Sequence, residues 1–114
     1  MKTKKAFLID PKAMTVTEVQ HTVKLATIYE SLGCRVFQGL PLERRSSVYI
    51  DEEGRLKNEG TAEFLITGDR GVVWPIIGKG LVVGPPDDDG VETDAPFTLE
   101  EITSRVTFFA EIEL

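Results

Sequence analysis

The apolar residues of this chain come in short runs, and almost every run is stopped by a proline or a glycine. Ala6-Phe7-Leu8-Ile9 is followed by Pro11, Val36-Phe37 by Gly39 and Pro41, and Leu81-Val82-Val83 by Gly84 and Pro85. Proline lacks the N–H that a ladder or a helix interior requires, and glycine loses the most conformational freedom in either. Runs of this length and punctuation read as strands. None approaches the ~20 apolar residues of a membrane helix. The run after the basic start is too short for the apolar region of a signal peptide. A soluble, cytoplasmic protein is the expectation.

Residues 5–10 and 14–20 read as strands of an opening antiparallel hairpin, with Pro11 ending the first. Further strands are expected at 35–40, 47–51, 62–67, 81–83 and 108–114, with Leu56 returning beside 47–51 after the turn Asp51-Glu52-Glu53-Gly54. The stretch 72–77 is apolar but interrupted by Pro75. Two segments have the helical period instead. Leu25, Ile28, Tyr29 and Leu32 form one stripe within residues 22–32, with Thr22 as the N-terminal cap and Gly33 closing the other end. Thr98-Leu99-Glu100-Glu101 is a capping box opening a helix over 98–104. Strands with two helices, rather than strict alternation, predict an α+β fold: an antiparallel or mixed sheet in a single domain spanning residues 1–114.

Thirteen basic and nineteen acidic residues leave a net charge of −6. That balance disfavours direct nucleic-acid binding, which needs cations to displace counterions, and suits a basic partner surface. One cysteine, Cys34, precludes an internal disulfide and fits a reducing compartment.

The residues that make or break bonds are scarce. His21 and Cys34 flank the predicted helix, which at 1.5 Å per residue holds them roughly 15–18 Å apart, so they are not expected to form a nucleophilic pair. An exposed histidine and a buried thiol are expected instead. Asp87, Asp88, Asp89, Glu92 and Asp94 cluster in a loop. If Gly90 took the sixth position of an EF-hand, prolines would fall at the first and twelfth, so that motif fails and a solvated loop is expected. Six residues separate Gly71 from Gly78-Lys79, so the Walker spacing is not met. The pairs Glu52-Glu53 and Glu100-Glu101 have no context that predicts burial. No catalytic residue, metal ligand or cofactor site is assigned. What remains is a set of loop cations with an aromatic neighbour: Arg44, Arg45, Arg70 and Lys79, with Trp74. Such a set is how a chain would hold a phosphorylated or nucleotide-like ligand.

Four segments carry a resemblance: Phe7-Leu8-Ile9-Asp10-Pro11; Asp51-Glu52-Glu53-Gly54 with Arg55-Leu56-Lys57; Gly78-Lys79-Gly80-Leu81-Val82-Val83-Gly84; and Thr98-Leu99-Glu100-Glu101. Together they resemble small uncharacterised proteins encoded by bacteriophages, prophages and plasmids, a family built on a domain of unknown function. The resemblance implies an accessory factor, with counter-defence as one such role, in a bacterial cytoplasm; it carries no catalytic residues. The expected function is non-enzymatic binding to a protein partner. The alternatives are sequestration of a small anionic ligand such as a signalling nucleotide, and an enzyme of unrecognised type. Homo-oligomers are also expected, since a small sheet must cover its edges.

Overall fold

A computed structural model describes residues 3–22, 25–53 and 62–109. β1 (Thr3–Asp10) and β2 (Thr15–Thr22) form the expected opening hairpin, pairing along their full length. Asp10 Oδ1 accepts the N–H groups of Lys12 (3.0 Å) and Ala13 (3.3 Å), so the turn is built around Pro11 as anticipated. β3 (Phe37–Pro41) and β4 (Ser47–Asp51) form a second hairpin. In its loop Arg44 and Arg45 both take positive φ, 59° and 61°. β7 (Gly80–Val83) lies between the two hairpins, antiparallel to β1 and to β4, giving a five-stranded sheet of order β2-β1-β7-β4-β3.

The single sheet expected from the sequence is two sheets. β5 (Phe64–Thr67) is flanked by β6 (Val73–Ile76) and β8 (Val106–Phe108) in a separate three-stranded sheet. A 3₁₀ turn, Asp69–Gly71, joins β5 to β6. All described strand pairs are antiparallel. Strand 72–77 is not broken at Pro75. β6 is an edge strand, and an edge tolerates a residue with no N–H. Pro41 ends the other sheet's edge strand β3 for the same reason. The last described strand is earlier than the expected 108–114, whose residues from 110 onward lie outside the described residues, as do Gly54 and Leu56.

Both helices are present. α1 (Leu25–Leu32) begins later than expected, because Thr22 is not a cap: it belongs to β2 and pairs with Thr3. Gly33 closes α1 at φ +64°. α2 (Leu99–Ser104) has the predicted capping box, with Thr98 Oγ1 accepting the Glu101 N–H (3.1 Å) and Glu101 Oε1 accepting the Thr98 N–H (2.9 Å).

The pleat explains why β1 and β7 are apolar without alternation. Phe7, Ile9 and Val82 point toward the three-stranded sheet, where they meet Val48, Phe64, Ile66, Ile76, Phe108 and, from α2, Ile102. Ala6, Leu81 and Val83 point the other way, against Ile28 and Leu32 of α1 and against Cys34, which is buried as expected. A strand covered on both faces needs apolar residues at every position.

Beyond β7 the chain loops out through the acidic segment and folds back. Ala95 N–H donates to Lys5 O (2.8 Å), and Lys5 N–H donates to Asp94 Oδ1 (2.8 Å). This return passes so close to Gly84 that a Cβ there would lie 2.2 Å from Asp94 O and 2.4 Å from Thr93 O. Only glycine fits.

Candidate functional site

Two concavities lie where the ends of the sheets meet. The first, about 320 Å³, opens between the edge strands of the two sheets. Among the described residues its walls are Gln38 and Leu40 of β3, Ile50, Asp51 and Glu52 at the end of β4, and Trp74, Pro75 and Ile77 from β6 and beyond. Gln38 and Ile50 are paired across β3 and β4, so the pleat turns them to one face. Trp74 packs against the main core cluster, with its ring half-buried. Its position depends on Gly68: a Cβ there would lie 2.9 Å from Trp74 Nε1 and 2.8 Å from Pro41 O. Trp74 Nε1 is buried without a hydrogen-bond partner among the described residues. Asp51 is buried, with Oδ1 accepting the Glu53 N–H (2.9 Å), whereas Glu52 is exposed.

The second concavity, about 370 Å³, is lined by Asp10, Pro11 and Lys12 of the first hairpin turn, Leu32 and Gly33 ending α1, and Asp51, Glu63, Gly78 and Lys79. Glu63 Oε1 accepts the Gly78 N–H (3.0 Å). Asp51 borders both concavities.

The five residues singled out from the sequence are dispersed over this frame. Trp74 and Lys79 line one concavity each. Arg45 and Arg70 are exposed at turns with left-handed backbone. Arg44 has a structural engagement. It donates to Pro96 O (2.6 Å) and to Glu101 Oε2 (2.7 Å), and its guanidinium lies 5.0 Å from the centre of the Phe97 ring. That contact ties the β3–β4 loop to the start of α2. The Arg44 bond, with the Thr98 backbone N–H, pushes the Glu101 carboxyl down to about 2.

Sequence reasoning missed one polar constellation. His21 is buried, not exposed as expected, because the acidic loop folds over it. Its Nε2 lies 3.3 Å from Glu92 Oε2, and the Tyr49 hydroxyl donates to Glu92 Oε1. A carboxylate only accepts, so Nε2 carries the imidazole proton. Nδ1 is buried without a partner among the described residues. Burial pushes the Tyr49 phenol up, and its bond to Glu92 adds to the effect. Burial also pushes Glu92 up, but the bonds from His21 and Tyr49 outweigh it and hold the carboxyl below its ordinary value. The outcome is an ionised carboxylate between two donors, and none of the three residues lines either concavity. The arrangement clamps the loop to β2 and β4. Of the expected solvated loop, Asp87, Asp88, Asp89 and Asp94 are exposed, and Glu92 alone of its five carboxylates is half-buried. Asp87, Asp88 and Asp89 form a turn in which Asp87 Oδ1 accepts the N–H groups of Asp89 (2.9 Å) and Val91 (3.0 Å).

Among the described residues no group of three or more His, Cys, Asp or Glu side chains is placed to hold a metal ion. No described helix is long and apolar enough to cross a membrane.

No curated protein and no solved structure matches the chain. A family described as a domain of unknown function, DUF3846, matches residues 1–107. That match covers the five-stranded sheet, both helices, all the residues around the two concavities and the second sheet up to Thr107, so the chain belongs to the DUF3846 family.

Proposed function

We propose that this protein is a non-enzymatic binding protein whose carboxylate-lined concavities engage a basic surface of a partner protein. The observation that carries this reading is the shared wall at Asp51. It joins Glu52 in one concavity to Asp10 and Glu63 in the other, where three carboxylates outnumber Lys12 and Lys79, on a chain of net charge −6. Opposed charge of this kind speeds encounter and selects partners. The titratable trio of buried His21 with half-buried Glu92 and Tyr49 holds a loop, which counts against the enzyme reading. The bacterial cytoplasm and the role of a phage or prophage accessory factor belong to the same proposal, supported by the sequence resemblance and by a lone, buried cysteine. Self-association would fit the long outer strand β2, which pairs on one side only among the described residues.

The competing proposal is capture of a small anionic ligand by Arg44, Arg45, Arg70 and Lys79 with Trp74. Calorimetric titration separates the two. An arginine- and lysine-rich peptide should bind, and binding should weaken with salt. A variant with Asp87, Asp88 and Asp89 all changed to Asn should bind as well as the parent, because those carboxylates lie outside both concavities. Nucleotide binding without peptide binding would reverse the choice between the two proposals.

A further inference from the structure

We infer that the concavity beside Trp74 is a pocket for a single basic side chain, arginine above lysine, presented by the partner protein. This rests on the binding reading above and gives it a chemical address. The pocket has the three parts such a side chain requires. Leu40, Ile50, Pro75 and Ile77 supply apolar wall for the methylene stem. The half-buried indole of Trp74 offers a π-face for a cation. Glu52, exposed at this wall, supplies the carboxylate, and Gln38 adds a neutral amide acceptor. A planar guanidinium can stack and donate at once, which a compact ammonium cannot.

The indole is also held in place before any ligand arrives. Gly68 leaves room for its Nε1 edge, and its ring packs on the core. A fixed aromatic wall loses little entropy on binding. The pocket lies between edge strands of two sheets, so a peptide passing along either edge can drop one side chain into it.

Trp74 is the chain's one tryptophan and therefore reports on its own pocket. The experiment titrates the full chain with acetyl-Gly-Arg-Gly-amide and follows tryptophan emission. Saturable change is expected with this peptide, a weaker response with its lysine counterpart, and none with the citrulline or glutamate counterparts. Glu52→Gln should weaken the arginine peptide about threefold, and Gln38→Glu should tighten it by a similar factor. Equal response to citrulline, or indifference to both substitutions, would overturn the pocket. If the longer basic peptide binds calorimetrically while the emission stays unmoved by any short peptide, the pocket fails and the broader binding reading stands. If neither basic peptide binds, both fall.

Discussion

The two faces of the five-stranded sheet are closed by different means. One face meets a second sheet and α2, and the seam between them is apolar: Phe7, Ile9, Val48 and Val82 against Phe64, Ile66, Ile76, Ile102 and Phe108. The other face meets α1, a helix of eight residues, over a smaller patch of Ala6, Leu81 and Val83. A helix that short does not hold itself together in water. On this same face the trio of His21, Glu92 and Tyr49 binds β2, β4 and the returning loop together through hydrogen bonds. The first closure depends on buried area and shape. The second depends on donors meeting acceptors, and so on protonation. A small domain can thus cover both sides of one sheet with only enough apolar side chains for one large seam.

The contrast can be broken most severely at the apolar seam. Phe64 is fully buried at its centre, and Phe64→Ala should cost about 4 kcal/mol in urea unfolding. Gly84→Ala comes next, at about 3 kcal/mol, since the new Cβ forces the returning loop at Thr93 and Asp94 away from β1. If that variant also loosens the loop clamp, exchange at the Ala95 amide should speed up with it.

Tyr49→Phe tests the polar face alone. It deletes one donor to a half-buried carboxylate and should cost about 2 kcal/mol, with no change in the Phe64 environment. It should also alter the alkaline limb. The Tyr49 phenol is raised in the folded state, so its contribution is complete below the ordinary phenol range and fades as pH climbs above it. The parent should lose stability there, and Tyr49→Phe should lose less. A parallel alkaline decline in both proteins would show that the bond to Glu92 contributes nothing.

At the acid end the sign is opposite. Glu101 is held down to about 2 from an ordinary 4.5, so its contribution is present above that range and lost as pH falls between those values. Glu101→Gln should flatten that part of the curve. The smallest effect is expected from Thr98→Ala, about 1 kcal/mol for one lost cap, visible as a modest fall in Tm.

Features that depend on neighbours in the chain were legible in the sequence. The turn at Pro11, the capping box at Thr98, the closure of α1 at Gly33 and the unbroken apolar run of β7 all follow from local chemistry. The division into two sheets was not legible, because alternation reveals which residues share a face but not which strand lies beside them. His21 was expected to be exposed because its partner Glu92 lies 71 residues away. Arg44 looked like a free loop cation because Glu101 lies 57 residues away. In the candidate site, Trp74 and Lys79 stood out by residue type. Asp51 and Glu52 read only as turn residues, and nothing local indicated that the turn would border two concavities.

The place of β7 has a consequence for how the chain is made. Its register joins Phe7 to Val82 and Val48 to the same residue, so the keystone of the larger sheet is supplied long after its neighbours. During synthesis the two hairpins emerge first, each with an unsatisfied inner border that only residues 80–83 can fill. Assembly must wait for that late insertion, which favours slow folding and leaves a window in which the bare borders can stick to other nascent chains.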